Sequence, residues 1–96
     1  MTINKTINGN QAVYAVSGRL ETITAPELEE ALKTGLDGIA GLTLDFTELD
    51  YISSAGLRVV IIAYKKMNGA LVIKNASARI RSIFATTGLD DLVKFE

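Results

Sequence analysis

The pattern of apolar and polar positions changes in the middle of the chain, between residues 42 and 67. Apolar side chains alternate with polar ones across Leu42–Phe46, which is typical of a β-strand. Farther on, an apolar stripe at the spacing i, i+3, i+4 and i+7 predicts an α-helix: Leu57, Val60, Ile61 and Tyr64. A turn of small and hydroxyl-bearing residues, Tyr51–Gly56, is predicted between the two. We expect this strand-turn-helix unit to form the centre of the fold.

Two adjacent serines stand where the predicted central helix begins. Either Ser53 or Ser54 is a suitable N-cap, because a serine hydroxyl can accept a hydrogen bond from a backbone N–H group that the first helical turn leaves free. The free N–H groups and the helix dipole also favour an anion such as phosphate at this end of the helix. The sequence therefore places a hydroxyl group where negative charge is tolerated.

The patterns on either side predict three more strands. An opening hairpin is expected from Ile3–Ile7 and Ala12–Val16, which are joined by a turn at Asn8–Asn10. Another short apolar run, Ala70–Ile73, predicts a strand buried on both faces. The residues after Thr87 are sufficient for a last short strand or a docked tail.

Two further helices are expected, one on each side of the central helix. Thr24–Glu27 predicts a capping box with a proline in the first turn, and Gly35, Gly38 and Gly41 are expected to break that helix. Asn68-Gly69 is expected to close the central helix in a left-handed conformation. Ser77 can cap a third helix that Gly88 closes. The order β-β-α-β-α-β-α with a short C-terminal tail predicts an α/β fold in one domain, residues 1–96, with a four- to five-stranded, mixed and mostly parallel sheet.

Composition and charge narrow the classes of function. The chain has 96 residues, of which 48% are hydrophobic, and its net charge of −1 gives no basic surface for nucleic acid. No apolar run reaches the roughly 18 residues of a membrane span, and there is no signal pattern, so we expect a cytoplasmic protein without membrane insertion. Cysteine and histidine are both absent, which excludes Ser-His and Cys-His nucleophilic sites. We expect a binding protein that is not an enzyme and has no metal or cofactor.

Two segments of the central unit, Leu44–Thr47 and Tyr51–Leu57, together resemble the signature of STAS domains, specifically those of bacterial anti-sigma factor antagonists. Three further segments fit the family in order along the chain: Gly18–Glu21, Asn68–Val72 and Thr87–Asp90. The resemblance implies transcription regulation by partner switching. The unphosphorylated domain binds a serine kinase that is also an anti-sigma factor, and the sigma factor is released.

The resemblance also implies how the switch is reset and which residue carries it. In the family, the kinase phosphorylates a serine at the start of the central helix, the complex dissociates, and a PP2C-type phosphatase removes the phosphate. Many members have this serine directly before the glycine, where this chain has Ala55, and others have it one place earlier, at Ser54. We expect Ser54 to be the phosphoacceptor, with Ser53 as the alternative. The partner-binding surface is expected to include Glu21, Thr22, Ser53, Ser54, Ala55, Gly56 and Arg58.

Other interpretations of the same residues stay open at this point. A STAS domain can also be a binding or scaffold module that is never phosphorylated, in a lipid-transport assembly or as a small-ligand binder. Ser54 would then be a plain N-cap. Asp45 and Glu21 are expected either to add negative charge near the acceptor or to make ordinary turn hydrogen bonds. Gly56 is expected to let the helix and the sheet approach closely.

Overall fold

A mixed sheet forms the framework of the protein, and the computed structural model describes all of residues 1–96. Its strands are β1 (Thr2–Asn8), β2 (Gln11–Leu20), β3 (Gly41–Asp45), β4 (Leu49–Ile52), β5 (Leu71–Lys74) and β6 (Lys94–Phe95). The helices are α1 (Ala25–Gly35), α2 (Ser54–Lys66) and α3 (Ala78–Thr86), followed by a 3₁₀ turn at Leu89–Asp91. None of these helices has the length and apolar content needed to cross a membrane. The strand order is β1-β2-β3-β5-β6 with β4 beside β2, and every pairing except β1 with β2 is parallel.

The core lies on the face of the sheet that the helices cover. Alternate residues of β2, β3 and β5 are buried there, and they form one cluster with the buried residues of the helices. Leu42, Leu44 and Phe46 are all buried, so the alternating pattern predicted for this segment is confirmed. The residues between the buried ones stay partly exposed. The predicted α/β fold with a mostly parallel sheet is therefore confirmed.

β4 is the element that the sequence patterns missed. Tyr51 and Ile52, predicted to lie in a turn, belong to this strand, and the sheet has six strands instead of four or five. β2 has 10 residues but β3 only 5, so β3 pairs with the first half of β2 and β4 with the second half, at Gly18–Leu20. Leu49–Ile52 is too short to show a periodic pattern of apolar residues. It is a strand because it pairs with a distant segment, which the local sequence does not reveal. The residues after α3 form β6 beside β5.

Most of the predicted helix ends are confirmed. α1 ends at Gly35, and Asn68 and Gly69 both have positive φ after α2. Ser77 caps α3, because its side chain accepts a hydrogen bond from the backbone N–H of Ile80 at 3.2 Å. These signals could be read from the sequence because a cap depends on residues that are close together in the chain.

Candidate functional site

The ends of β2 and β4 lie side by side and carry the start of α2. Ser53 follows β4, and its backbone N–H donates to the carbonyl of Leu20, the last residue of β2, at 2.9 Å. The first hydrogen bond of the helix runs from the N–H of Leu57 to the carbonyl of Ser53, also at 2.9 Å. The N–H groups of residues 54–56 therefore have no partner within the helix. They give this end of α2 a partial positive charge.

Gly56 determines how closely the first turn of α2 approaches the sheet. A Cβ at this position would lie 2.8 Å from the backbone oxygen of Leu20 and 2.7 Å from Cγ1 of Ile52. Both distances are far shorter than the roughly 3.5–4.0 Å of favourable contact between heavy atoms. The packing role predicted for Gly56 is confirmed. Since the residue is buried, it lies beneath the predicted partner-binding surface and supports it.

The two serines at the start of α2 differ in exposure. Ser54 is the first residue of the helix and is exposed. Ser53 occupies the N-cap position, but its side chain makes no cap hydrogen bond, and its Oγ is buried without any partner. The expectation that one of these hydroxyls caps α2 is therefore wrong. Of the two hydroxyls, only that of Ser54 lies where a second protein can reach it.

A shallow cleft of about 230 Å³ runs between the N-terminal parts of α1 and α2. Residues of the β2–α1 loop and α1 line one side, and residues of α2 line the other: Thr22, Ala25, Pro26 and Glu29 face Ala55, Arg58 and Val59. The structure thus brings together Thr22, Ala55 and Arg58, which the sequence predicted to bind a partner. Ser54 is not one of the lining residues, but it directly precedes Ala55, which is.

Near the cleft, Arg19 and Glu21 form an ion pair, whereas Arg58 is unpaired. Arg19 Nε donates to Glu21 Oε2 at 3.1 Å, and the Arg19 guanidinium lies 4.4 Å from the centre of the Tyr51 ring. This ion pair offsets the negative charge expected at Glu21. It is the only salt bridge in the structure, so Arg58 has no ion-pair partner. Arg58 is exposed and follows Ser54 by one helical turn, which makes the two residues neighbours on the helix surface.

Thr24 organises the loop before α1 instead of capping the helix. The predicted capping box is wrong, because the Thr24 side chain makes no cap hydrogen bond. Its hydroxyl is already used: it accepts from the N–H of Glu21 at 2.9 Å and donates to the carbonyl of Arg19 at 2.7 Å. The N–H of Thr24 also donates to the carbonyl of Glu21 at 3.1 Å. Together these bonds close a four-residue turn, Glu21–Thr24.

Ile23 is a residue of this region that the sequence patterns did not single out. It occupies the third position of the Glu21–Thr24 turn, and 85% of it is exposed. A lone isoleucine in a loop belongs to no period of apolar residues, so periodicity could not find it. The available signal was a β-branched apolar residue in a turn, where glycine, asparagine, aspartate and serine are usual.

Asp45 lies away from the two serines. It pairs with Ala15 of β2, whereas Ile52, just before the serines, pairs with Leu20. The two positions on β2 differ by five residues, which is roughly 16 Å along a strand. The structure therefore does not bring Asp45 to the start of α2, and the negative charge expected there from this residue is absent.

One oxygen of the Asp45 carboxylate instead accepts several hydrogen bonds at the end of β3. Its Oδ1 accepts from the backbone N–H and the hydroxyl of Thr47, and from Nδ2 of Asn75. The bond from the Thr47 side chain is the largest of the effects that lower the pKa of Asp45. The Thr47 backbone, Asn75 and Lys74 add to it, while burial acts in the opposite direction.

Comparisons with known proteins lead to one family. The model of the STAS domain family matches residues 2–96. The anti-sigma-B factor antagonist of Bacillus subtilis is 31% identical over 98 residues, which cover 97% of this chain and 90% of that protein. The anti-sigma-B factor antagonist of Listeria monocytogenes is 35% identical over 86 residues, which cover 84% of this chain and 75% of that protein. The crystal structure of an anti-sigma factor antagonist from Mycobacterium paratuberculosis has a TM-score of 0.87 at 25% identity, covering 98% of this chain and 83% of that one.

Proposed function

This chain belongs to the STAS domain family, and we propose that it is an anti-sigma factor antagonist whose binding to its partner is controlled by phosphorylation of Ser54. The proposed partner is a serine kinase that also acts as the anti-sigma factor, and a PP2C-type phosphatase returns the domain to its binding form. The role is regulatory and not catalytic. The observation that carries the proposal is the exposed hydroxyl of Ser54 on the first residue of α2.

Exposure favours Ser54 over Ser53 as the phosphoacceptor. A kinase must align the γ-phosphate of ATP with the attacking hydroxyl, which requires an oxygen that the active site can surround. Ser54 is exposed, whereas Oγ of Ser53 is buried beneath the surface. Phosphorylation of Ser53 would need the start of α2 to open first. Ser54 can be modified with the helix in place.

A phosphate on Ser54 is compatible with the folded domain. It adds about −1.5 to −2 charges beside the free N–H groups of the first turn, where the helix dipole favours an anion. Arg58 is one turn away and has no other ion-pair partner, so its guanidinium can pair with the phosphate. We therefore expect the phosphorylated domain to keep its fold.

Phosphorylation is expected to change the affinity for the partner and not the fold of the domain. An interface can cover a neutral hydroxyl at little cost, whereas covering a dianion removes its hydration water at a cost of several kcal/mol, which one ion pair with Arg58 does not fully offset. Since about 1.4 kcal/mol corresponds to a tenfold change in Kd, the phosphorylated form is expected to dissociate. Arg58 adds to the effect, because a cation that is free for the partner before phosphorylation is drawn to the phosphate afterwards.

Titration against the purified anti-sigma factor kinase tests the switch. Wild type and Ser54→Ala are expected to bind with similar Kd, and Ser54→Asp at least about tenfold more weakly. Ser53→Ala is the matched control, since it removes the neighbouring hydroxyl and is expected to bind like the wild type. Equal binding of Ser54→Asp and Ser54→Ala would show that charge at this position does not control the complex.

A further inference from the structure

Four large hydrophobic side chains are exposed on this molecule, and two of them, Ile23 and Ile62, belong to the loop and the helix that line the cleft. Ile23 is 85% exposed in the turn that borders the cleft, and Ile62 is 38% exposed on α2. Ser54, Arg58 and Ile62 follow each other at intervals of four residues, and all three are exposed, so they share one side of the helix. An exposed apolar side chain thus follows Arg58 on α2, and another follows Thr22 in the loop on the other side of the cleft.

We propose that Ile23 is the apolar anchor with which this domain docks on its anti-sigma factor, filling an apolar pocket that has an acidic group placed to meet Arg58. This inference rests on the proposed function, because it assigns the contact surface of the same partner. Ile23 directly follows Thr22, which lines the cleft together with Arg58, and Ser54 directly precedes Ala55, which lines it too.

Local structure gives no reason for an isoleucine at position 23. The residue belongs neither to the hydrophobic core nor to the apolar side chains packed against it. The core contacts at the start of α1 come instead from Ala25 and Leu28, which are both buried. An aliphatic side chain left in water contributes nothing to folding, whereas its burial in a pocket of another protein is favourable.

The turn also holds Ile23 in one position before any partner binds. The hydrogen bonds of the Thr24 hydroxyl to the backbone of Arg19 and Glu21, and the bond from the Thr24 N–H to the carbonyl of Glu21, fix the backbone on each side of Ile23. A side chain presented on a preorganised loop loses less conformational entropy on binding. Thr22 and the Arg19–Glu21 ion pair supply polar neighbours, the arrangement in which an apolar anchor is surrounded by residues that exclude water.

Ile7 offers a matched control for a test of the anchor. It is also an exposed isoleucine, with 46% of it accessible, but it pairs with Ala12 near the beginning of β2. Ile23 comes just after Leu20, at the other end of that strand, eight residues or roughly 26 Å farther along. The same substitution at the two positions therefore removes the same chemical group from opposite ends of the sheet.

The experiment is isothermal titration of unphosphorylated wild type, Ile23→Ser and Ile7→Ser with the purified anti-sigma factor kinase that the wild type binds. Ile23→Ser is expected to raise Kd by about tenfold to a hundredfold, and Ile7→Ser by less than about twofold. Thermal unfolding of all three proteins is expected to be similar, because both side chains are exposed, and this confirms that the variants are folded.

The outcomes separate this inference from the proposed function. If the wild type binds its kinase and Ile23→Ser binds equally well, Ile23 is not an anchor, although the antagonist role stands. If both isoleucine variants lose the same affinity, the effect is not specific to this surface and the inference is also overturned. If the wild type binds no anti-sigma factor kinase of its organism, the proposed function fails and the inference fails with it.

Discussion

The ends of β3 and β4 belong to one stretch of chain, but their polar side chains are used in opposite ways. At the end of β3, Asp45 accepts hydrogen bonds from Thr47 and Asn75. After β4, the hydroxyl of Ser53 is buried without a partner, and Ser54 is exposed. In the first region the polar side chains bond one another within the domain, whereas the second leaves the Ser54 hydroxyl open to another protein.

This contrast separates what holds the fold from what is available for function. A hydrogen bond within a protein contributes about 0.5–1.5 kcal/mol to stability, and the end of β3 has several of them. The start of α2 lacks a side-chain cap, so backbone contacts hold it: the Ser53 N–H on Leu20 and the close packing at Gly56. Neither the Ser53 nor the Ser54 hydroxyl makes a hydrogen bond that holds the helix start. A phosphate on Ser54 can therefore change the charge of this surface while the domain stays folded.

The largest effect on stability is expected for Gly56→Ala. The new Cβ would overlap the backbone oxygen of Leu20 and the side chain of Ile52, so the helix start must move. We expect the free energy of unfolding to fall by about 1–3 kcal/mol in urea denaturation. Ser54→Ala, in the same helical turn but exposed, serves as the control and is expected to change it by less than about 0.5 kcal/mol. A Gly56→Ala protein as stable as the wild type would show that backbone packing does not hold this end of α2.

Asp45→Asn tests the hydrogen bonds at the end of β3 and is expected to cost about 1 kcal/mol at neutral pH. Hydrogen bonds from Thr47 hold the pKa of Asp45 below its ordinary value in the folded state. The carboxylate therefore stabilises the fold above the unfolded pKa of about 3.9, and this stabilisation is lost as the pH falls through the lower, folded pKa. Unfolding free energies measured from pH 7 downwards should show the difference between wild type and variant shrinking below about pH 4. A difference that does not depend on pH would contradict the role given to the charge.

The smallest effect is expected for Ser53→Ala. A serine that caps a helix contributes about 1 kcal/mol, but the Ser53 hydroxyl makes no such bond. We expect the unfolding free energy to change by less than about 0.5 kcal/mol, or to rise slightly, since the substitution removes a buried polar atom without a partner. Ser77→Ala is the matched control, because Ser77 does cap α3, and it is expected to lose about 1 kcal/mol. Equal losses in both variants would mean that Ser53 caps α2 in solution.

Those features that depend on neighbouring residues could be predicted from the sequence. The alternation at Leu42–Phe46, the cap at Ser77 and the place of Ser54 at the start of the central helix are all local patterns. β4 could not be predicted, because it is a strand only through its pairing with the second half of β2. The same pairing places Asp45 far from Ser53 and Ser54, so this distance could not be predicted from the sequence either.

The hydrogen-bond partners of the hydroxyl groups in the site could not be predicted from the sequence either. Thr24 and Ser53 both stand at N-cap positions, and the residue types predict caps at each. The Thr24 hydroxyl bonds the backbone of its own loop, and the Ser53 hydroxyl has no hydrogen-bond partner. The exposure of Ile23 follows from the turn that Thr24 closes, so it too could be recognised only in the folded chain.

The central claim, that Ser54 is the residue that changes charge, is tested most directly by mass spectrometry with site mapping. The measurement follows incubation of wild type, Ser54→Ala and Ser53→Ala with ATP and the anti-sigma factor kinase. We predict one added phosphate on the wild type and on Ser53→Ala, mapped to Ser54, and none on Ser54→Ala. An unmodified wild type, or a phosphate that persists in Ser54→Ala, would contradict the claim and favour a STAS module that binds its partner without this switch.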